Sequence, residues 1–367
     1  FEDSTAVDQD LIYDLASVTK IASTVLAIMD LDGKGKLSLD DPLGKHLKWV
    51  RKTDYETVSL REMLAHQAGF VAWIPFYQKT LVQGLPNFDI YSRSYSKEFP
   101  YQVAADLYIN KDYAEDSIFH RIVYKAKVKE DKEYKYSDIG YYFLKEIVEE
   151  IVKQPINEYN QEHFYAHLGM NRTTFRPLEK FDQREIAPTE DDKTFRRQLI
   201  RGYVHDPGAA MLGGVGGHAG LFSNANDMMK LMQMFLQGGI YGGERYLEAS
   251  VLEEYTKCQY CVDSIPLSDD DNRRGAGFDK PAPHGNPGPT CDCISFASYG
   301  HSGFTGTYVW VDPEEELVYI FLSNRVYPKA SNGQLVKLNI RTRIQEKIYD
   351  AIHNANWRSV QSALNYQ

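Results

Sequence analysis

The sequence predicts an α+β fold, in which helices fill the middle of the chain and antiparallel strands its final third. Residues 141–154, YYFLKEIVEEIVKQ, repeat apolar side chains with the period of an amphipathic helix. Residues 306–325, GTYVWVDPEEELVYIFLSNR, contain two strand-like runs joined by an Asp-Pro-Glu-Glu turn, which predicts a hairpin. Because helical and strand segments are segregated along the chain, a parallel fold of alternating strands and helices is disfavoured.

The other elements can be placed in order along the chain. We predict a helix over 17–31, a turn region with a short helix over 33–47, a short helix ending at Gly69, an irregular aromatic-rich stretch over 71–130 and a Gly-rich loop at 213–220. The helix after this loop should begin at Asn224 or Asn226, because Asn side chains cap helix N-termini. A last helix over 335–355 follows the hairpin.

Composition excludes some partners. The 367 residues are 43% hydrophobic, enough for a sizeable core, and carry a formal net charge of −10. Nucleic acids and anionic membranes need a basic face, so we expect neither as a partner. No apolar run approaches the roughly 20 residues that cross a bilayer, so we expect no membrane span in this segment.

Two segments imitate binding motifs. Residues 30–41, DLDGKGKLSLDD, place acidic residues at positions 1, 3 and 12 of a calcium loop, but Lys34 at position 5 would point an ammonium at the metal. Residues 213–220, GGVGGHAG, do not fit the spacing of a dinucleotide-binding loop. We therefore expect neither a metal among the functional-site residues nor a cofactor.

The four cysteines come in two closely spaced pairs, Cys258 with Cys261 and Cys291 with Cys293. Their spacing is compatible with two disulfides, with free thiols or with a four-cysteine zinc site, and the sequence leaves these alternatives open. Disulfides would indicate an oxidising compartment such as the periplasm.

The pair Ser17 and Lys20 is the strongest candidate for chemistry. Ser17 lies where a helix begins, near the positive end of its dipole, and Lys20 follows one turn later on the same face. Apolar neighbours should bury Lys20 and lower its pKa toward that of a usable base. The alternative is a serine cap followed by a surface lysine. A second Ser-x-x-Lys, Ser94 to Lys97, lies in a polar loop without helical period.

Two further motifs favour the catalytic interpretation. Tyr136-Ser137-Asp138 directly precedes the amphipathic helix, and a nearby ammonium should lower the pKa of such a tyrosine. His301-Ser302-Gly303 directly precedes the hairpin, and Gly303 would let a substrate backbone approach the strand. The similar Tyr108-Ile109-Asn110 is set aside because no helix is predicted behind it, and His218-Ala219-Gly220 is the corresponding alternative to the His301 motif.

With these motifs the chain resembles the serine β-lactamase/penicillin-binding-protein superfamily, in its class C-like branch of esterases and D,D-peptidases. LASVTK, LAHQAG, YSDIGYYFLKEIVE, GGHAGLFS and the segment from Gly300 to Arg325 follow that branch in order. The sequences of these segments are also similar to those of Bacteroidetes-type serine-hydrolase modules, some of which are fused to a glycoside hydrolase.

The resemblance implies a single domain over 1–367, with an antiparallel sheet flanked by helices and a mostly helical subdomain. The α/β part would comprise about 1–50 and 220–367, and the helical subdomain about 51–219 with an insertion near 71–130. Few residues precede Ser17, so we expect that N-terminal strands of the family sheet are missing or that an upstream domain of the same polypeptide supplies them.

The resemblance also implies roles for individual residues. Ser17 would be the acylated nucleophile, with Lys20 and Tyr136 as the proton-transfer pair. The backbone N–H groups of Ser17 and Phe304 would form the oxyanion hole. Substrate binding would fall to Asp138, His301, Ser302 and Gly303.

Two departures from the family pattern bear on the substrate. Asp138 replaces the usual Asn, and His301 replaces the Lys of true class C β-lactamases, a change associated with esterases and peptidases. We therefore expect a periplasmic or envelope serine hydrolase acting on esters, amides or peptidoglycan-like D-amino-acid substrates. The alternatives are a true class C-like β-lactamase and a non-catalytic binding module of a larger cell-envelope protein.

Overall fold

A computed structural model describes residues 7–261, 272–282 and 288–364 of the chain. Its α-helices are Leu26–Gly33, Leu43–His46, Leu60–Leu64, Lys111–Lys125, Ile139–Val152, Ile156–Asn160, Pro207–Met211, Ala225–Leu236, Ala249–Thr256, Gln334–Lys337 and Ile340–Leu364. Within the described ranges, no helix combines the length and the apolar character that a membrane crossing requires.

The strands form small antiparallel sheets, and two of these sheets lie at the predicted site. The first consists of Tyr13–Asp14, Leu221–Ser223 and Thr174–Phe175, in that order across the sheet. The second, which we call the C-terminal sheet, consists of Tyr299–Ser302, Tyr308–Asp312 and Leu317–Phe321. The remaining strands are Leu81–Val82 with Leu85–Pro86, Tyr91–Ser92 with Leu107–Ile109 and Tyr101–Ala104, Glu190–Asp191 with Leu199–Ile200, and Ile240–Tyr241 with Glu244–Arg245. The α+β class and the predicted hairpin are both confirmed.

The first helix lies at the centre of the core. It begins as a single tight turn at Ala16–Val18, widens to π-type turns over Lys20–Val25 and continues as an α-helix to Gly33. Its apolar side chains are buried all round, including Ile21, Val25, Leu26 and Ile28. A helix that is apolar on every face can be stable only when other elements surround it. The predicted helix over 17–31 is therefore confirmed.

The stretch 71–130 is more regular than we predicted. It contains the three-stranded sheet of residues 91–109, followed by the helix Lys111–Lys125. Asn110 caps this helix by accepting a hydrogen bond from the Tyr113 N–H at 2.9 Å. Our reason for setting aside Tyr108-Ile109-Asn110, the lack of a following helix, was wrong, because the weakly amphipathic sequence hid that helix.

The structure decides between the alternatives for the cysteines. Cys258 and Cys261 form a disulfide, whereas Cys291 is a buried free thiol and Cys293 an exposed one. Among the described residues no group of three or more potential ligands is placed to hold a metal ion. In residues 30–41, which resemble a calcium loop, Lys34 Nζ donates to Asp30 Oδ2 at 2.8 Å, so the lysine ammonium lies where a bound cation would contact this carboxylate.

Asn224, one of the two predicted caps, begins the helix Ala225–Leu236. Its side-chain oxygen accepts a hydrogen bond from the Asp227 N–H at 2.9 Å, and its amide donates to the Gln9 carbonyl at 3.2 Å. Asn226 is exposed in the first turn. We expect Asn224→Ala to lower the free energy of unfolding by about 1 kcal/mol or more, because a buried cap is lost. Thermal unfolding of Asn226→Ala is the matched control, and an equal loss in that variant would contradict this assignment.

Candidate active site

Ser17 and Lys20 lie within hydrogen-bonding distance of each other. Lys20 Nζ donates to Ser17 Oγ at 3.1 Å, to Asp138 Oδ1 at 2.7 Å and to the His218 carbonyl at 3.1 Å. The Lys20 side chain is fully buried, whereas Ser17 remains partly exposed. Lys20 is therefore no surface lysine, and the interpretation as a cap followed by a solvated side chain is wrong.

The turn that carries Ser17 is strained and firmly held. Ala16, directly before Ser17, has φ of 47°, a left-handed conformation that is costly for a residue with a Cβ atom. The buried carboxylate of Asp14 accepts hydrogen bonds from the Ala16 N–H at 2.8 Å and the His205 N–H at 2.7 Å. Burial raises the pKa of Asp14, and these two bonds oppose the rise. No motif in the sequence indicates this support.

The loop after His301-Ser302-Gly303 packs on the same turn. Thr305 Oγ1 donates to the Asp14 carbonyl at 2.7 Å, and Thr307 Oγ1 donates to the Leu15 carbonyl at 2.9 Å. A Cβ atom at Gly303 would lie 2.5 Å from the Leu15 carbonyl oxygen. The glycine is thus needed for packing of the loop against the serine turn, whereas an approach of substrate there stays a prediction.

Phe304, whose N–H we predict to help form the oxyanion hole, follows directly in this loop. Its ring is 52% exposed, stacks on the ring of His205 at 5.5 Å between centroids, and lies 4.6 Å from the guanidinium carbon of Arg325. The loop that carries the Phe304 N–H is therefore fixed both by its threonines and by its aromatic side chain. Ser302 ends the neighbouring strand and is half-buried, and its contact with substrate also stays a prediction.

Tyr136 faces Ser17 and Lys20. Its ring centroid lies 5.2 Å from Lys20 Nζ, 5.4 Å from the guanidinium carbon of Arg274 and 4.4 Å from the ring centroid of His66. Burial raises the pKa of Tyr136, Lys20 and a hydrogen bond with Ser17 lower it, and the net shift is upward. The expected lowering by the ammonium is outweighed, so Tyr136 is a neutral phenol in the resting site.

His66 positions Tyr136 through the backbone. Its Nδ1 accepts a hydrogen bond from the Ser137 N–H at 3.1 Å, and its carbonyl accepts one from the Lys135 N–H at 3.0 Å. Burial lowers the pKa of His66 well below its ordinary value, so the ring stays neutral and keeps this acceptor. The structure thus agrees with a structural role for His66 rather than a part in proton transfer.

His301 is buried beside a cation that we did not predict. An Arg274 N–H lies 3.3 Å from His301 Nε2, and Arg274 also pairs with Asp279. Because a guanidinium can only donate, Nε2 is the acceptor, and His301 Nδ1–H donates to the Ser302 carbonyl at 2.8 Å. Burial lowers the pKa of His301 to about 4, with Asp279 opposing the shift. His301 is therefore neutral at pH 7.

Arg274 and Asp279 are the polar residues near the site that sequence reasoning missed. They lie in NRRGAGFD (272–279), which has no helical or strand periodicity and no motif spacing. Its charged residues are the one sequence feature that could indicate a polar site there.

The predicted pKa of Lys20 was wrong in direction. Burial lowers the pKa of Lys20 as we expected, but the charge of Asp138, with smaller contributions from Tyr136 and from the Asp138 hydrogen bond, more than reverses the effect. Lys20 is thus a charged ammonium in the resting site. Asp138, which we predicted to bind substrate, is its ion-pair partner.

The neutral, buried state of His301 predicts a pH-dependent stability. The unfolded chain binds a proton at His301 as the pH falls below its ordinary pKa of about 6.5, whereas the folded chain does so only near pH 4. The neutral His301 ring therefore stabilises the folded protein fully above about pH 6.5, and this stabilisation is lost as the pH falls toward 4. For this one group the free energy of unfolding drops by about 2 kcal/mol between pH 7 and pH 5.

Urea unfolding of His301→Asn at the two pH values checks this expectation, since the variant should lose that part of the pH difference. His167 is exposed, so His167→Asn should keep the full difference. An undiminished difference in His301→Asn would show that His301 is protonated alike in both states.

Comparisons with known proteins agree with this geometry. A family model described as Beta-lactamase matches residues 1–339. The chain is 31% identical over 344 residues to the "Putative D-alanyl-D-alanine carboxypeptidase" of Escherichia coli (strain K12), covering 88% of this chain and 71% of that protein.

Two solved structures share the fold. The octameric penicillin-binding protein homologue from Pyrococcus abyssi aligns with a TM-score of 0.57 and 23% identity, over 90% of this chain and 67% of that one. EstCE1, described as a hydrolase with promiscuous acyltransferase activity, aligns with a TM-score of 0.60 and 18% identity, over 88% of this chain and 82% of that one. At these identities the likeness concerns the fold.

The family match runs from before Ser17 to beyond the C-terminal sheet, and so includes all three motifs. The resemblance inferred from those motifs is thereby confirmed. The chain belongs to the beta-lactamase family of serine hydrolases.

Proposed function

We propose that this protein cleaves esters or amides, including peptides that end in D-amino acids, through an acyl-enzyme on Ser17. The observation that carries the proposal is the contact of 3.1 Å between Ser17 Oγ and the buried Lys20 Nζ, with Tyr136 beside both. A serine hydroxyl needs such neighbours because it is a weak nucleophile while protonated.

In the proposed reaction Ser17 Oγ attacks the carbonyl carbon of the substrate. The N–H groups of Ser17 and Phe304 would stabilise the negative charge on the carbonyl oxygen, and each such donor contributes about 3 kcal/mol to the transition state. Tyr136, a neutral phenol, would protonate the leaving alcohol or amine. Water would then release the acyl group from Ser17.

The charges around the site support substrates without an obligatory carboxylate. Arg274 is paired with Asp279, and Lys20 with Asp138, while His301 is neutral. None of these groups presents an unpaired cation, which a β-lactam carboxylate would favour, and the Arg325 guanidinium beside Phe304 donates to the Ala330 and Asn332 carbonyls. This balance supports esters and amides without a carboxylate beside the scissile bond over β-lactams. It does not favour peptides with a free C-terminal D-amino acid, whose support comes from the relative described next. Rapid nitrocefin turnover would argue for a true β-lactamase.

A peptidoglycan-like substrate is supported by the Escherichia coli relative, described as "Putative D-alanyl-D-alanine carboxypeptidase", which aligns with 88% of this chain. A periplasmic or envelope location is supported by the Cys258–Cys261 disulfide, because disulfides persist in oxidising compartments. The location forms part of the proposal.

A fluorescent fluorophosphonate should label the protein at Ser17, since this reagent traps activated serines. We expect Ser17→Ala to abolish labelling, measured by gel fluorescence and by peptide mass mapping. Ser94→Ala is the matched control, because Ser94 opens the second Ser-x-x-Lys and is exposed. It should label like the unaltered protein.

Labelling that persists in Ser17→Ala would place the nucleophile elsewhere. A folded protein that is not labelled at all, and that cleaves neither p-nitrophenyl esters nor D-alanyl peptides, would favour a non-catalytic binding module.

A further inference from the structure

The ion pair between Lys20 and Asp138 changes how Ser17 can lose its proton. All three ammonium protons of Lys20 have acceptors, namely Ser17 Oγ, Asp138 Oδ1 and the His218 carbonyl. An ammonium donates and cannot accept, so Lys20 in this state cannot take a proton from Ser17 directly.

Asp138 is the only one of these acceptors with a carboxylate, and it lies nearest to Lys20, at 2.7 Å. Its side chain is 18% exposed, and its backbone N–H donates to the Ala72 carbonyl at 3.0 Å, directly before the helix Ile139–Val152. The carboxylate is therefore held in place from its own backbone and touches the lysine that touches the serine.

The charged and titratable groups around this pair come from several elements. They are Tyr136, Tyr141 and Tyr142 from the Asp138 segment and its helix, His66 after the helix Leu60–Leu64, Asp206 and His218 from the Gly-rich region, and Arg274, Asp279 and His301 near the C-terminal sheet. Asp206 pairs with His218 at 2.7 Å and Arg274 pairs with Asp279. Among these groups Asp138 is the carboxylate in contact with Lys20.

We propose that the Asp138 carboxylate is the final acceptor of the Ser17 proton, and that Lys20 passes the proton on rather than acting as a free-amine base. This inference rests on the proposed acyl-enzyme at Ser17.

The proton balance of the step is complete. As Ser17 Oγ forms its bond to the substrate carbonyl carbon, Lys20 gives one proton to Asp138 and takes the Ser17 proton in exchange. The outcome is a tetrahedral adduct on Ser17, an ammonium on Lys20 and a neutral carboxylic acid on Asp138. When the bond to the leaving group breaks, Tyr136 protonates that group, and the proton held on Asp138 returns through Lys20 to Tyr136.

The usual Asn at position 138 could not take part in this exchange, because an amide does not accept a proton at ordinary pH. A chain with Asn there needs a neutral Lys20, and burial lowers the pKa of Lys20 when its ion-pair partner is absent. The two mechanisms therefore respond in opposite directions to the removal of the Asp138 charge.

The test is the second-order rate of Ser17 labelling by a fluorophosphonate between pH 5 and pH 10. If Asp138 accepts the proton, the unaltered protein reacts about equally fast at pH 6 and pH 8. In Asp138→Asn the pH below which the labelling rate falls should then be higher than in the unaltered protein. At pH 6 the variant should be labelled at least tenfold more slowly than the unaltered protein. Asp138→Glu, which restores a carboxylate, should recover the labelling at low pH.

Asp350→Asn is the matched control, because Asp350 pairs at 2.6 Å with Lys347 on the C-terminal helix, both side chains are exposed, and the same charge is removed there. Its pH profile should equal that of the unaltered protein.

The opposite results overturn the relay. If the free amine of Lys20 is the base, its raised pKa makes the labelling rate of the unaltered protein climb about tenfold per pH unit between pH 6 and pH 8. In Asp138→Asn the pH below which the labelling rate falls would then be lower than in the unaltered protein. An unchanged profile in Asp138→Asn would also overturn it. A labelling rate of the unaltered protein that climbs between pH 6 and pH 8 overturns the relay even if Asp138→Asn does not fold.

A failure of the relay can be told from a failure of the proposed function. Absence of label on Ser17 at every pH rejects the acyl-enzyme and the relay together. Labelling of Ser17 with a profile that climbs with pH rejects the relay alone.

Discussion

The buried ion pair between Lys20 and Asp138 is the interaction on which the site depends. A fully buried ammonium is tolerated only when it is paired and hydrogen-bonded, and removal of one partner of such a pair costs roughly 3–5 kcal/mol. Together with the His218 carbonyl, the pair joins three distant parts of the chain: the first helix, the segment before the helix Ile139–Val152 and the Gly-rich loop. This junction brings Ser17 and Tyr136 close to each other.

The serine turn is held from the opposite side by backbone contacts. Asp14, Thr305 and Thr307 fix the strained residue Ala16 and bring the loop of Phe304 against Ser17. The first helix therefore meets the C-terminal sheet through carbonyls and hydroxyls, while its apolar side chains fill the core. Rigid support of this kind is what a site needs when small displacements of the nucleophile reduce its rate.

The sequence was sufficient to predict the fold class, the first helix, the hairpin and the three motifs, because each depends on local periodicity or spacing. It did not reveal the partner of Lys20, since Asp138 lies 118 residues away and the pairing arises only from tertiary packing. The pKa directions of Lys20 and Tyr136 were misjudged for the same reason. Arg274 was missed because its segment has no period, and the helix Lys111–Lys125 because its apolar face is weak.

The central claim is that Lys20 is an ammonium in the resting protein, held in that state by Asp138. The most direct measurement is a ¹⁵N NMR titration of the lysine side-chain nitrogens, with the Lys20 signal assigned by Lys20→Arg. We predict that Lys20 Nζ keeps the chemical shift of an ammonium from pH 6 to pH 9. A Lys20 signal that titrates near pH 7, or that is already a neutral amine there, would contradict it.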